Sequence, residues 1–153
     1  MGHNLALKYQ WKGIVMNKVL IIEDEVSTAE AVQSALAMDD IYADIAPGKS
    51  GVEAFTSGNY DLVLLDLKMP GLSGEEVLAA IRKMDPFIDV IIYTNYSEFA
   101  DIKKLANIGI DGYINKGPKA DLAELIAAIK EKLAPLSDET ISELLKDVPS
   151  SED

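Results

Sequence analysis

The stretch Asp61-Leu62-Val63-Leu64-Leu65-Asp66-Leu67-Lys68-Met69-Pro70-Gly71 decides the fold. Its four consecutive apolar residues are typical of a short strand buried on both faces. Asp66 stands where this predicted strand ends, at the edge where open α/β sheets carry their sites. An aspartate in that position can also be an ordinary solvated residue that opens a turn. Whether Asp66 is a site residue or a turn residue therefore depends on which other residues the fold places at the same edge.

Composition restricts the chemistry available to this chain. The 153 residues contain no cysteine and a single histidine, His3. Thiolate chemistry and disulfides are therefore excluded, and histidine-based metal sites nearly so. The formal net charge of −12 disfavours direct binding to nucleic acid or to anionic lipid. The sequence contains no apolar run near the roughly 20 residues of a membrane span, and no export signal is evident. We expect a soluble, cytoplasmic protein.

Strands and helices alternate from residue 19 onward. Apolar runs predict strands over 19–22, 41–45, 60–66, 90–93 and 110–115, and amphipathic patterns predict helices over 27–38, 51–57, 74–84, 97–107 and 121–133. Ser27 and Glu30 match a capping box, which places the start of the first helix at Ser27. Five short β/α units predict a parallel sheet with helices on both faces. A flavodoxin-like, doubly wound sheet of order 2-1-3-4-5 fits this length, whereas a closed eight-unit barrel needs about 250 residues.

Two flanking segments depart from this pattern. Residues 1–17 are expected to be a disordered or added leader. Apolar and polar residues alternate up to Trp11, so a short strand there is the alternative. Residues 18–134 form the predicted domain. Residues 135–153 predict a short helix capped by Ser137 and a frayed tail. The apolar stripe of this helix is expected to dock on the domain, with partner binding as the alternative. The stripe consists of Leu136, Ile141, Leu144, Leu145 and Val148.

Polar residues follow four of the predicted strands. They are Glu23 and Asp24 after the first strand, Asp66 after the third, Thr94 after the fourth and Lys116 after the fifth. The predicted order makes the first and third strands neighbours, which brings three carboxylates together at the switch point. Clustered carboxylates repel one another unless a hard cation such as Mg²⁺ compensates their charge. With a hydroxyl and an ammonium at the same edge, Asp66 is suited to accept a phosphoryl group as nucleophile. The alternatives are that Lys116 only pairs with the acids and that Thr94 only caps the next helix.

Four blocks of the sequence resemble the response-regulator receiver domain of two-component signalling. They are VLIIEDE at 19–25, LLDLKMPG at 64–71, VIIYT at 90–94 and GYINK at 112–116. The resemblance covers roughly residues 18–133. It implies that Asp66 accepts a phosphoryl group from the phosphohistidine of a sensor histidine kinase or a phosphotransfer protein. It also implies that the protein is a signalling domain and not an enzyme in the usual sense.

The resemblance assigns roles to the neighbours of Asp66. Together with Asp66, the implied Mg²⁺ ligands are the side chains of Glu23 and Asp24 and the backbone carbonyl of Lys68. Thr94 and Lys116 would contact the phosphoryl group. Tyr113 matches the switch aromatic whose rotamer follows Thr94, and the alternative is an ordinary half-buried strand tyrosine.

Some residues depart from the family pattern around the implied site, at positions that bear on the lifetime of the acyl phosphate or on the peptide bond after Lys116. Asn95 stands where the family usually has a very small residue. Gly117 separates Lys116 from Pro118, where the family commonly has Lys-Pro. Lys68 and Tyr96 occupy positions that tune hydrolysis.

The resemblance leads us to expect a stand-alone receiver that signals through protein–protein contact. The contact surface would be the fourth helix, fifth strand and fifth helix, and phosphorylation-dependent homodimerisation is a further option. Two alternatives stay open. One is a phosphate-independent interaction module with a vestigial pocket, and the other is a receiver excised from a longer regulator.

Overall fold

A computed structural model of the chain describes residues 10–11, 14–95, 99–116, 122–135 and 137–148. Its centre is a five-stranded parallel sheet in which the strand order is β2-β1-β3-β4-β5. The strands are β1 (Lys18–Ile22), β2 (Tyr42–Ala46), β3 (Leu62–Leu65), β4 (Asp89–Thr94) and β5 (Gly112–Asn115). This order confirms the predicted doubly wound sheet.

Helices follow the strands as the sequence pattern predicts. They are α1 (Val26–Met38), α2 (Gly48–Ser57), α3 (Gly74–Met84), α4 (Phe99–Ile108), α5 (Leu122–Leu133) and a further helix α6 (Asp138–Leu145). Each of α1 to α5 packs on the sheet. Its apolar residues recur every three or four positions and so form one face, which is buried against the strands. In α3, for example, Val77, Leu78 and Ile81 are buried.

The sheet separates two apolar clusters. Leu20 and Ile22 of β1 pack in the cluster shared with α2, α3 and α4. Val19 and Ile21 of the same strand pack in the cluster shared with α1 and α5. Because successive strand residues point to opposite faces, an unbroken apolar run fills both clusters at once.

The register of the sheet aligns the carboxyl ends of its central strands. Ile22 of β1 pairs with Leu65 of β3, which in turn pairs with Ile92 of β4. Thr94 at the end of β4 pairs with Asn115 at the end of β5. The residues that follow these strands therefore emerge at one edge.

The capping box predicted at Ser27 is wrong. Helix α1 begins at Val26, and its N-cap residue Glu25 makes no side-chain capping hydrogen bond. The hydroxyl of Ser27 instead donates to Glu25 Oε1 at 3.4 Å. The N–H of Ala29 donates to the carbonyl of Glu25 at 3.0 Å, and this backbone hydrogen bond starts the helix one residue earlier than predicted.

Helix α2 begins at Gly48, before the predicted start at Gly51. The N–H of Gly48 donates to Asp24 Oδ1 at 2.6 Å. A distant carboxylate thus satisfies one of the N–H groups that a helix start leaves without an intrahelical partner. Local sequence patterns do not contain this partner.

A short hairpin that the sequence analysis did not predict follows Asp66. Lys68–Met69 pairs antiparallel with Leu72–Ser73. Gly71 turns the chain with φ +70°, a conformation that glycine adopts without steric cost. The hairpin fixes Lys68 at the edge of the sheet that carries Asp66.

The structure describes residues 10–11 and 14–17 of the leader, and the disorder expected of the whole leader stays a prediction. Gln10–Trp11 pairs antiparallel with Ile14–Val15, which agrees with the alternative of a short strand. Residues 1–9 and 12–13 lie outside the described residues. Among the described residues, no helix has both the length and the apolar character that a bilayer span requires.

The C-terminal helix α6 forms, but its expected docking on the domain is wrong for the described residues. Ser137 caps the helix as predicted, since its hydroxyl accepts the N–H of Thr140 at 3.1 Å. None of the helix residues is buried, and Leu144 is 63% exposed. Leu136 and the last residues of the tail lie outside the described residues.

Candidate functional site

The polar residues predicted from the strand ends line one cleft at the carboxyl edge of the sheet. The cleft has a volume of about 300 Å³. It is lined by Glu23, Asp24, Glu25, Asp66, Lys68, Pro70, Asn95 and Lys116. The backbone holds its two central strands together up to the edge, because the N–H of Asp66 donates to the carbonyl of Ile22 at 3.1 Å. Of the predicted site residues, Thr94 and Tyr113 do not line the cleft.

Lys116 connects two of the carboxylates. Its ammonium pairs with Glu23 Oε2 and lies 3.3 Å from Asp66 Oδ2. The exposed fractions of the Lys116, Glu23 and Asp66 side chains are 8, 6 and 7%. Buried charges are costly unless they are paired. The ammonium is therefore what allows two carboxylates to sit side by side in this cleft.

The pKa values of the ion pair reflect burial and mutual attraction. Burial raises the pKa of Glu23, although the hydrogen bonds from Lys116 and from the N–H of Glu25 partly oppose this. Burial acts to lower the pKa of Lys116, but its hydrogen bond to Glu23 and the charge of Asp66 outweigh that effect and raise it. Lys116 is therefore a cation throughout the neutral range.

The carboxylates of Glu23 and Asp24 have different surroundings. Glu23 Oε1 accepts the N–H of Glu25 at 3.0 Å, and Oε2 pairs with Lys116. Asp24 Oδ1 accepts the N–H of Gly48, and no ion pair to Asp24 occurs within the part of the chain that the structure describes. Asp24 is thus the acid best placed to face an incoming cation.

The oxygen atoms of the cleft suit a hard divalent cation. Asp24, Asp66 and Lys68 line it together, and Asp66 Oδ1 accepts the N–H of Lys68 at 3.3 Å. Among the described residues, no three acidic, histidine or cysteine side chains converge into a complete cage. Mg²⁺ does not need such a cage, because it keeps several waters and binds through one or two carboxylates. The donor set therefore fits Mg²⁺.

Thr94 and Tyr113 lie on the same face of the sheet. Thr94 is fully buried, and its carbonyl accepts the N–H of Lys116 at 2.8 Å. Tyr113 pairs in register with Ile92, two residues before Thr94. The Tyr113 hydroxyl is buried, with no hydrogen-bond partner among the described residues. Burial raises the pKa of Tyr113, so its phenol is neutral at physiological pH.

Tyr93 is a site residue that the sequence analysis missed. The Nζ of Lys116 lies over its ring, 5.2 Å from the centroid. Burial raises the pKa of Tyr93, so the ring carries no negative charge. The alternation of side chains along a strand could have indicated this contact. Tyr93 and Thr94 are consecutive and point to opposite faces of the sheet, so Tyr93 shares the face of Ile114 and Lys116.

The structure describes some of the residues that depart from the family pattern. Lys68 and Asn95 line the cleft and are exposed. Tyr96, Gly117 and Pro118 lie outside the described residues. The role of Gly117 between Lys116 and Pro118 stays a prediction.

Comparison with known sequences gives a consistent result. The chain matches the family model described as "Response regulator receiver domain" over residues 19–130. It is 40% identical over 114 residues to the transcriptional regulatory protein DltR of Streptococcus agalactiae, which is 74% of this chain and 50% of that relative. It is 37% identical over 119 residues to the response regulator ArlR of Staphylococcus saprophyticus, which is 77% of this chain and 53% of that relative. The chain thus spans about half the length of these curated relatives.

Solved structures show the same architecture. The response regulator protein TrrA of Thermotoga maritima, solved in complex with Mg²⁺ and BeF, is 34% identical with a TM-score of 0.67. That likeness covers 76% of this chain and 99% of TrrA. A CheY-like receiver domain protein from Methanospirillum hungatei is 26% identical with a TM-score of 0.72, and the likeness covers 84% of this chain and 98% of that one.

Proposed function

This chain belongs to the response regulator receiver domain family, and we propose that it accepts a phosphoryl group on Asp66 and signals through contact with another protein. Receiver domains are signalling modules, and family membership follows from the match over residues 19–130. One observation carries the proposal for Asp66. Its carboxylate stands at the end of β3, 3.3 Å from the Lys116 ammonium, in a cleft that it shares with Asp24.

The proposed reaction is a phosphoryl transfer from a phosphohistidine. A carboxylate oxygen of Asp66 attacks phosphorus, the new O–P bond forms, and the N–P bond of the donor breaks. The electron pair of that bond leaves with the histidine nitrogen, so the product is an acyl phosphate on Asp66. The donor would be a sensor histidine kinase or a phosphotransfer protein.

The neighbours of Asp66 supply positive charge and orientation. In the proposed mechanism, Lys116 donates to a phosphoryl oxygen and gives up part of its contact with Glu23. Asp24, Asp66 and the backbone carbonyl of Lys68 would hold Mg²⁺, with Glu23 as an additional acid beside them. When bound, the ion neutralises charge on the phosphoryl oxygens. The structure of the related TrrA, solved in complex with Mg²⁺ and BeF, supports Mg²⁺ as the ion of this proposal.

We propose that the phosphoryl group is read out through Thr94 and Tyr113. Thr94 is buried at the end of β4, and in the proposed mechanism its hydroxyl turns toward the phosphoryl group on Asp66. Tyr113 shares that face of the sheet, so its ring would follow Thr94. The surface formed by α4, β5 and α5 would then shift toward a conformation that is already populated in the free protein.

The identity of the partners goes beyond the family assignment. The curated relatives include proteins named transcriptional regulatory proteins, of which this chain spans about half the length. Action as a stand-alone receiver, homodimerisation and the absence of direct nucleic-acid contact therefore stay predictions. The relatives named transcriptional regulatory proteins weigh against the absence of nucleic-acid contact for a whole regulator.

The test is intact-mass spectrometry after incubation with acetyl phosphate and Mg²⁺. Wild type and the exposed control Asp39→Asn should each gain the mass of one phosphoryl group, whereas Asp66→Asn should gain none. Addition of EDTA should prevent the gain. If wild type gains nothing with several small donors, the proposal is wrong, and a phosphate-independent interaction module becomes the better account.

A further inference from the structure

Tyr93 places an aromatic ring against the ammonium that serves Asp66. The Nζ of Lys116 lies 5.2 Å from the ring centroid, and the Lys116 side chain is almost fully buried. A cation within about 6 Å of an aromatic face is attracted by the ring quadrupole, more strongly where water is excluded. The ring therefore exerts a directed attraction on Lys116 inside the site.

The fold explains why this tyrosine reaches this lysine. Tyr93 of β4 pairs in register with Ile114 of β5, and both pack on the cluster next to α1 and α5. Lys116 follows Ile114 by two residues, so alternation returns it to the same face. Thr94 faces the other cluster. Two consecutive residues of β4 thus approach the site from opposite faces of the sheet.

Tyr93 also adjoins the carboxylates that compete for the ammonium. It lines one narrow recess with Glu23 and Asp66. Lys116 pairs with both of these acids, so three groups hold one flexible four-carbon side chain. Of the three, the ring alone carries no charge, and it is not altered when Asp66 is modified.

We propose that Tyr93 is a positioning residue whose ring holds the Lys116 ammonium at Asp66 during phosphoryl transfer. The inference rests on the proposed function of Asp66. During transfer, Lys116 has to exchange a contact with Glu23 for one with a phosphoryl oxygen. The ring attracts the ammonium on both sides of that exchange, so Lys116 stays in the cleft. An aliphatic side chain at position 93 would fill the same apolar space without this attraction.

The contact itself is tested first, by NMR of protein with isotope-labelled lysine. The ε-methylene protons of Lys116 should show an upfield ring-current shift in wild type and in Tyr93→Phe. The shift should vanish in Tyr93→Leu. An unchanged Lys116 signal in Tyr93→Leu would overturn the proposal, whether or not the protein accepts a phosphoryl group.

The consequence for the reaction is tested with acetyl phosphate and saturating Mg²⁺. Tyr93→Leu should lower the phosphorylation rate constant about three- to tenfold, the range that a partly desolvated cation–π contact corresponds to. Tyr93→Phe should restore most of that loss, because the ring face and not the hydroxyl attracts the cation. A rate in Tyr93→Leu equal to that of wild type would overturn the proposal, while Asp66 would still stand as acceptor.

Fluorinated phenylalanines at position 93 separate the attraction between ring and cation from the packing of the ring. They also keep the experiment informative if Tyr93→Leu does not fold. Phenylalanine, 4-fluorophenylalanine and 3,4,5-trifluorophenylalanine at position 93 have nearly the same shape, but their ring faces are progressively less negative. The rate should fall stepwise along the series. A flat series would show that Tyr93 only fills space. Absence of phosphorylation in wild type would reject the proposed function. The ring-current shift of Lys116 would then still show whether the ring of Tyr93 contacts the ammonium.

A matched control comes from the opposite edge of the sheet. There the Nζ of Lys18 lies 4.5 Å from the ring of Tyr60. Tyr60→Leu removes a similar contact away from Asp66, so it should lower stability without changing the phosphorylation rate constant of the folded protein. An equal loss of rate in Tyr60→Leu and Tyr93→Leu would contradict a positioning role.

Discussion

Lys116 lies 3.3 Å from Asp66 while its ammonium also pairs with Glu23. One cation is therefore shared by two carboxylates that are both more than nine-tenths buried, and it compensates part of their charge. Removing it leaves uncompensated charge in a region with little water, which is far more costly than the loss of a surface ion pair. The same sharing means that Lys116 can respond when the charge on Asp66 changes.

The first prediction concerns the stability contributed by Lys116. Lys116→Met keeps a similar stem but leaves Glu23 and Asp66 without their cation, so the free energy of unfolding at pH 7 should fall by about 3 kcal/mol. Lys130→Met is the control, because Lys130 pairs with Asp39 at 3.4 Å on the surface. That change should cost less than about 1 kcal/mol. Urea denaturation without Mg²⁺ measures both, and equal losses would contradict the prediction.

The second prediction concerns the close approach of Gly74 to the chain beside Asp66. A Cβ at position 74 would stand 2.5 Å from the Cα of Leu67 and 3.0 Å from the carbonyl oxygen of Asp66. These are backbone atoms, so Gly74→Ala should move the turn after β3 and destabilise the protein by about 1–3 kcal/mol. It should also slow phosphorylation, because Asp66 is displaced. Gly112→Ala is the control, since its added Cβ meets Ile91 at an ordinary 3.4 Å. Thermal unfolding and phosphorylation rates of both variants decide the matter.

The third prediction contrasts two tyrosine hydroxyls. The Tyr113 hydroxyl is buried without a hydrogen-bond partner among the described residues, whereas that of Tyr60 donates to Asp44 Oδ2 at 2.8 Å. Tyr113→Phe should therefore raise the free energy of unfolding by about 1 kcal/mol, and Tyr60→Phe should lower it by a similar amount. Urea denaturation of the two variants gives opposite signs if this is correct. A loss of stability in Tyr113→Phe would indicate that its hydroxyl is hydrogen-bonded in solution.

The architecture was predictable because local and global signals agree in this chain. Each central strand is an unbroken apolar run, which only a sheet covered on both faces can bury. Short connections then leave few topologies. The convergence of Asp66 and Lys116 follows directly, because parallel strands bring their carboxyl ends to one edge. No contact between side chains had to be known for that step.

The parts that were not predicted depend on contacts between distant residues. Helix α2 starts at Gly48 because the carboxylate of Asp24 accepts its N–H. The ring of Tyr93 meets Lys116 through the register of β4 and β5. A capping pattern at Ser27 was present in the sequence, yet α1 begins one residue earlier, at Val26. For α2 and for Tyr93, contacts between distant residues decide what a local pattern leaves open.

The fourth prediction concerns the pH dependence of stability at Asp89, the first residue of β4. Burial and the nearby charge of Asp111 raise the pKa of Asp89. The folded state therefore binds this proton more tightly than the unfolded chain. The stability that results is fully present below the ordinary aspartate pKa of about 3.9 and is lost as the pH rises through the raised value. At pH 7 the ionised group is a net cost.

Asp89→Asn should accordingly be more stable than wild type at pH 7, by up to about 0.5 kcal/mol. The advantage should disappear toward pH 3, where Asp89 is protonated in wild type as well. Urea denaturation at a series of pH values measures the difference. Asp147→Asn, on the exposed C-terminal segment, is measured in parallel as the control. An advantage that grows toward acid pH would show that the sign is wrong.

The fifth prediction separates the two acids that follow β1 by their effect on Mg²⁺ binding. Both oxygens of Glu23 are engaged, by Lys116 and by the N–H of Glu25. Asp24 accepts one N–H, from Gly48, through Oδ1. Asp24→Asn keeps an oxygen for Gly48, so the fold is retained while the negative charge is lost. Asp24 should therefore contribute more to binding than Glu23.

Thermal unfolding with and without Mg²⁺ tests this order, because a ligand that binds only the folded state stabilises it by about 2.7 kcal/mol at one hundred times its Kd. Wild type should gain stability on addition of Mg²⁺, Asp24→Asn should lose that gain almost completely, and Glu23→Gln should keep part of it. Asp39→Asn is the control, since Asp39 pairs with Lys130 on the surface, and it should respond like wild type. If Glu23→Gln abolishes the gain and Asp24→Asn does not, Glu23 must release Lys116 to reach the ion. The ion pair between Glu23 and Lys116 would then exist only in the metal-free protein.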